Sequence, residues 1–309
     1  MYIFICTFIY LGKLIITTGY PRDIGIHSEV IDIVHSNITC KSLPNFPVQI
    51  SQAFGGVLEN NIPIVCGGWS DNYKYAQSNC YIIGKKGIAT TMSQPRFFGA
   101  SAVISKDTLW ITGGTLTEQS TDFVKFNQAS EPGPDLPMKF LEHCMVKINE
   151  NLVVLIGGID NQNQAQSLIV EVSKNFSMSQ GPSLIQGRYD FSCGLFELNG
   201  NPAVIVAGGY DGFNSISTEI WVQNSSNNGW LVGPKLLEPC SGSSMITSPS
   251  GEGVILLGCR EHKEAFYELN NSNGILSWRK MKQQLKYPRS DTVAMLVPDE
   301  LVSCSHNNC

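Results

Sequence analysis

The stretch AVIVAGGYDG (203–212) runs five consecutive small or branched apolar residues into a glycine pair, followed by an aromatic and an acidic residue. An apolar run of that length bounded by glycine reads as a strand buried on both faces, and the pair as a sharp bend where a Cβ or a restricted φ would clash. The same phrase returns as LIITTGY (14–20), IPIVCGGW (62–69), TLWITGGT (108–115), LVVLIGGI (152–159) and GVILLGCR (253–260). Its last glycines, Gly19, Gly68, Gly114, Gly158, Gly209 and Gly258, are spaced by 49, 46, 44, 51 and 49 residues. Repetition at such a period marks an architecture in which each unit is one supersecondary element that buries its faces only against its neighbours.

Each unit holds four short runs bounded by turn residues, which read as strands. In the third they are GASAVI (99–104), TLWIT (108–112), DFVKF (122–126) and the proline-rich EPGPDLP (131–137). The fifth repeats them as FSCGLFEL (191–198), AVIVA (203–207), TEIWV (218–222) and GWLVGPKL (229–236). The expected fold is therefore all-β: a six-bladed β-propeller of four-stranded antiparallel blades. The glycine pairs, GGYDG (208–212) with Glu219 and Trp221, the outer-strand Trp230 and Trp278, and Pro95-Arg96 and Pro288-Arg289 resemble kelch repeats from about residue 13 to 304. Thr18-Gly19 and Gly258-Cys259 depart from the pattern in the first and last units.

A ring of blades leaves exposed strand edges unless one blade is completed from both chain ends. YPRSDTVAMLVPDEL (287–301) repeats a unit start, so residues 292–298 are expected to supply the innermost strand of blade one, beside Leu14–Thr17. The propeller then occupies 13–304, with 305–309 as a tail. Residues 1–12 carry an apolar stretch near the length of a signal-peptide core and too short to span a bilayer. The reading is a signal peptide; the alternatives make CTFIY (6–10) a strand, or the chain a piece of a longer one.

Nine cysteines follow that segment. Cys66 ends a strand and Cys80 begins its antiparallel neighbour, and Cys240 and Cys259 stand in the same relation, so each couple is expected side by side. Cys144 and Cys193 occupy matching places on adjacent innermost strands, Cys40 is a partner for Cys304 at the closure, and Cys309 is left over. Disulfides fit an extracellular, secreted chain; the alternative is cytoplasmic, with the cysteines as small buried hydrophobes. The sequons at Asn37, Asn175, Asn224 and Asn270 are compatible with secretion and do not decide it.

Net charge is −5, with no Lys and Arg cluster, so nucleic acid is not the expected partner. The five histidines fall apart without ligand spacing, and there is no Cys-x-x-Cys, nucleophile elbow or phosphate loop. No metal or cofactor is expected. Propeller function is then expected on the loop face, where the loops before each innermost strand and after each second strand open together. Onto that face fall Tyr20, Arg22, Trp69, Tyr73, Asp160, Tyr210 and Asp211, with Arg260 and His262. The shorter loops add Arg96 with Phe97, Arg188 with Tyr189, and Tyr287 with Arg289. Arg96, Arg188 and Arg289 recur at one repeat position, where an Arg more often braces neighbouring carbonyls than meets a partner. Trp69, Tyr73 and Arg22 do not recur, which makes them the candidate anchors.

The functional expectation is a monomeric, non-enzymatic propeller that binds a protein or glycan. Two alternatives are an intracellular recognition module of the kind found in kelch adaptors of ubiquitin ligases, and a propeller enzyme resembling sialic-acid mutarotases.

Overall fold

The computed structural model describes residues 12–35, 38–58, 61–70, 75–114, 119–160, 162–212, 217–223, 229–272, 274–302 and 304–306. Six blades stand in a ring, almost without helix. Blade two runs Phe54–Leu58, Ile62–Cys66, Asn79–Ile82 and Thr90–Thr91, and blade three Ala100–Ser105, Thr108–Thr112, Thr121–Lys125 and Glu131–Pro132. Blade four runs Cys144–Asn149, Leu152–Ile156, Ile169–Ser173 and Met178–Gln180; blade five, Ser192–Leu198, Asn201–Ala207, Thr218–Val222 and Leu231–Val232. Blade six ends in a long hairpin, Ala265–Ser272 with Ile275–Gln284, after Ser244–Thr247 and Val254–Leu257. Its outer strand is thus not one of the short, proline-guarded edges that the third unit suggests.

Blade one closes the ring. Val293–Val297 pairs with Lys13–Thr17, Leu296 opposite Leu14, and Glu29–Asp32 pairs on the other side. The chain then turns through Asp299–Leu301 and lays Cys304–His306 against Ile38–Cys40, where Cys40 and Cys304 are bonded. Ser305 and His306, assigned to a tail from sequence, lie in this strand. The C-terminal segment therefore closes blade one at its inner strand and at its outer edge. The candidate signal segment lies outside the described residues save Gly12.

Second strands carry the core: Leu109, Trp110, Ile111, Val154, Leu155 and Ile156 are wholly buried between blades. Outer-strand tryptophans tie one blade to the previous one, Trp230 Nε1 donating to Pro182 O (2.9 Å) and Trp278 Nε1 to Pro234 O (3.1 Å).

The glycine pair is a staple as well as a bend. The N–H of Gly114 donates to Phe140 O (3.1 Å) and that of Gly209 to Cys240 O (2.8 Å), each in the following blade. A Cβ on the preceding glycine would stand 2.3 Å from Phe140 O at Gly113 and 2.1 Å from Cys240 O at Gly208. Both glycines also have φ near +60° to +70°, so in these blades the bend favours a residue without a side chain. Blade one manages with Thr18 at φ 58° before Gly19.

Candidate functional site at the channel mouth

The recurring arginines are buried. Arg96, Arg188 and Arg289 are 0% exposed. Arg96 Nε donates to Asp122 Oδ2 (2.7 Å) and its Nη1 to Gly113 O (2.9 Å). Arg188 Nη2 donates to Glu219 Oε1 (2.6 Å) and Nη1 to Gly208 O (3.0 Å). Arg289 pairs with Glu29 (3.0 Å) and donates to Ile16 O. These three do not belong to a partner-binding surface: each fills the underside of the bend with a charge-assisted brace, which corrects their placement among the contact residues.

The same repeat position is occupied by Ile50, Phe140 and Cys240 in blades two, four and six, all buried to within 1%. Arginine braces therefore alternate with apolar residues around the ring. Disulfides follow no such alternation: Cys66–Cys80 lies in blade two, Cys240–Cys259 in blade six, Cys40–Cys304 at blade one, and Cys144–Cys193 joins blade four to blade five.

Two residues beyond this position the chain enters the innermost strand through the left-handed region. Gln52, Phe98, Glu142, Asp190, Gly242 and Asp291 have φ of 55°, 58°, 51°, 57°, 59° and 54°. Their backbones join neighbouring blades head to tail. Asp291 N–H donates to Gly242 O (2.7 Å), Gly242 to Asp190 (3.1 Å), Asp190 to Glu142 (3.1 Å), Glu142 to Phe98 (2.6 Å) and Gln52 to Asp291 (3.1 Å). This ring frames the channel mouth, a cavity of about 170 Å³ lined by Gln52, Phe98, Glu142, Asp190 and Asp291. Next to it along the innermost strands lies a cavity of about 230 Å³, walled by Ser101, Ser192, Ser243 and Ser244.

Three of the six ring positions thus hold carboxyl groups, and a fourth is glycine for a reason. A Cβ on Gly242 would meet Arg260 Nε at 2.7 Å. Arg260 lies across it and grips Asp291 twice, Nη2 to Oδ1 (2.5 Å) and Nε to Oδ2 (3.2 Å), while Nη1 pairs with Asp190. Burial pushes the Asp190 carboxyl up to about 8; Arg260 opposes this, and Asp291 and Glu142 add to it. Burial also raises Glu142, against the pull of Arg260. Burial alone would lower the Arg260 guanidinium, but its bonds to Asp291 more than reverse that. The mouth therefore offers a carboxylic acid that keeps its proton near neutrality, beside a second carboxyl and a carboxylate held by arginine. Such unequal pairs are how acid and base roles are divided.

Aromatic residues stand on the loops, outside the lining of the mouth itself. Tyr189 and Tyr210 pair in the backbone and lie 5.6 Å apart. Trp69, half buried, packs on Phe97 at 5.0 Å. Tyr20, 47% exposed, has Arg22 and Lys263 over its ring at 5.6 and 5.2 Å. Arg22 Nε also donates to Ser51 Oγ (3.1 Å), and Tyr287 stacks on His27 at 4.1 Å. Asp160 caps its own loop through Gln162 and Gln164 N–H, and His262 faces Glu238 (3.0 Å). Tyr73 lies outside the described residues. Glu142, Asp190 and Asp291 escaped the sequence reading, although Asp190 directly follows Arg188-Tyr189. Setting the six units in register on the innermost strand puts them in one column.

Among the described residues no three His, Cys, Asp or Glu side chains gather as metal ligands, and no helix is long and apolar enough to cross a membrane.

No family model matches the chain, and no curated protein matches its sequence. A solved structure titled "Structure of YjhT" is similar in fold, with a TM-score of 0.65 over 82% of this chain and 91% of that one, at 10% identity. At that identity the likeness shows the propeller fold alone. The expectation of a non-enzymatic propeller is nevertheless corrected here: this chain's own channel mouth brings together the Glu142 and Asp190 carboxyl groups, an arrangement that acid–base chemistry uses.

Proposed function

We propose that this chain is a secreted, kelch-like propeller enzyme that binds an uncharged sugar at the channel mouth and moves protons on it. Asp190 acts as general acid and Glu142 as general base, with Arg260 and Asp291 fixing Asp190. The observation that carries the reading is that Asp190 and Glu142 line one cavity at the channel mouth, where burial raises both carboxyl groups. Opening the ring of a reducing sugar needs that division of labour: a proton given to the ring oxygen while another is taken from the anomeric hydroxyl. Tyr189 and Tyr210 offer ring faces to the C–H side of a pyranose, and Trp69 and Arg22 stand on the rim for whatever extends beyond it. Three carboxyl groups against one guanidinium disfavour an acidic sugar, which sets this reading apart from the sialic-acid mutarotases that the repeats bring to mind. Four disulfides support the extracellular setting.

The test is magnetisation-exchange NMR on the two anomers of neutral hexoses and N-acetylhexosamines, with saturation transfer for binding. The native chain is expected to accelerate exchange of at least one sugar. Asp190→Asn is expected to retain saturation transfer and lose about a hundredfold or more in exchange, the range of general acid–base contributions. Saturation transfer and exchange absent for every sugar would defeat the proposal.

A further inference from the structure

We infer that the Cys144–Cys193 disulfide is a positioning clamp for Glu142 and Asp190, holding shut the seam between blades four and five, whose two ring positions both carry carboxyl groups. The inference rests on the acid–base reading of the mouth. Each blade is its own hydrogen-bonded sheet, so adjacent innermost strands are not laddered together. Around the channel the gaps are spanned by side chains. Ser101 Oγ donates to Gly55 O (3.2 Å) between blades two and three, Thr112 Oγ1 meets His143 Nε2 (2.8 Å) between three and four, Ser192 Oγ donates to Ser243 O (2.8 Å) between five and six, and Ser244 Oγ to Thr292 O (2.8 Å) between six and one. A hydrogen bond of this kind opens far more readily than a covalent bridge.

Between blades four and five the bridge is covalent. Cys144 and Cys193 sit on the two innermost strands with Cα atoms 6.0 Å apart, and both line the channel. Cys144 is two residues past Glu142, and Cys193 three past Asp190. Above the disulfide, Asp190 N–H to Glu142 O is the ring bond across this seam. Two carboxyl groups on opposite sides of a gap repel when both ionise, and spreading the gap would let water in to relieve them. The clamp denies that escape. The other disulfides serve different ends: Cys66–Cys80 crosses one ladder within blade two, Cys240–Cys259 lies within blade six, and Cys40–Cys304 fastens the outer edge of blade one.

The experiment compares the full-length chain with C144A/C193A and, as a control, C66A/C80A, following the Asp190 carboxyl by ¹³C NMR on aspartate-labelled protein. With the clamp gone, the Asp190 midpoint is expected to fall by about one pH unit or more as water enters. The pH profile of anomer exchange should move the same way. The control is expected to lose melting temperature and leave both readouts in place. An Asp190 midpoint that C144A/C193A leaves unmoved would overturn the inference. Should that variant not fold, dithiothreitol on the native chain gives the same comparison: the dithiol passes two electrons and two protons to the bridge and becomes its own cyclic disulfide, and alkylation mapping shows which bridge opened. Because the midpoint is read without sugar, failure of the clamp and failure of the proposed activity remain separable.

Discussion

Replacing Arg188 with Met leaves the Glu219 carboxylate buried in blade five with its charged partner gone. The side chains of Arg188 and Glu219 are 1% and 4% exposed, so water cannot take the guanidinium's place. Glu219 keeps two backbone donors, Ile185 N (2.7 Å) and Gln186 N (3.2 Å), but loses Nη2 at 2.6 Å. Gly208 O and Ser217 O lose Nη1. Breaking a buried pair on one side costs about 3–5 kcal/mol, because it strands the other charge. Removing both charges costs far less, since an apolar pair of similar volume avoids the desolvation altogether. Arg188→Met is therefore expected to lose about 3–5 kcal/mol, and Arg188→Met with Glu219→Leu to recover most of it. Urea unfolding with the disulfides intact measures this. Tryptophan fluorescence reports on the right blade, because Trp221 and Trp230 lie 6.2 Å apart there. With m near 3 kcal/mol/M, the single variant's midpoint should drop by about 1 M or more. A loss below about 1 kcal/mol, or a double variant no better than the single one, would refute the brace. Undiminished stability with lost sugar capture would return Arg188 to the contact surface.

Two further outcomes follow from the mouth. The folded Asp190 carboxyl titrates at about 8 against an ordinary 3.8, so the folded state holds a proton that the unfolded chain releases. Its contribution to stability is full below about pH 4 and is lost as pH rises through about 8; urea midpoints at pH 5 and pH 8 should therefore fall more in the native chain than in Asp190→Asn. Gly242→Ala puts a Cβ 2.7 Å from Arg260 Nε at φ 59°, so Arg260 must leave Asp190 and Asp291. Anomer exchange should fall at least tenfold while stability drops by about 1–2 kcal/mol, the strain of a left-handed residue; full exchange in this variant would show that Arg260 does not position the carboxyl groups.

How far the sequence carried depended on the range of the interaction. Period, strand order and the closing strand rest on patterns within one unit, and all were legible. The disulfide Cys66–Cys80 was legible too, because 14 residues and one hairpin fix its register. The mouth was not. Arg260 meets Asp190 across 70 residues and Asp291 across 31, and nothing near Arg260 tells that its guanidinium turns inward over Gly242. Asp190 directly follows Arg188-Tyr189, but its unit's sequence alone does not distinguish a ring position from a loop residue; the column appears only across blades.

Unlike residues at one repeat position also hid a common task. The carbonyl of Arg96, Phe140, Arg188 and Cys240 each accepts from the glycine staple of the preceding blade, so the backbone there is fixed whatever the side chain is. The side chain must then fill the space beneath its own blade's bend. In blades one, three and five a guanidinium does so and needs a carboxylate, supplied by Glu29, Asp122 and Glu219 on the third strands. In blades two, four and six Ile50, Phe140 and Cys240 fill it, and no carboxylate is required. A buried charge pair demands both partners at once, so the two solutions cannot be mixed within a blade. The carboxyl groups at the mouth stand outside that scheme: Asp190 and Asp291 are held by Arg260, which reaches in from blade six rather than from beneath a bend.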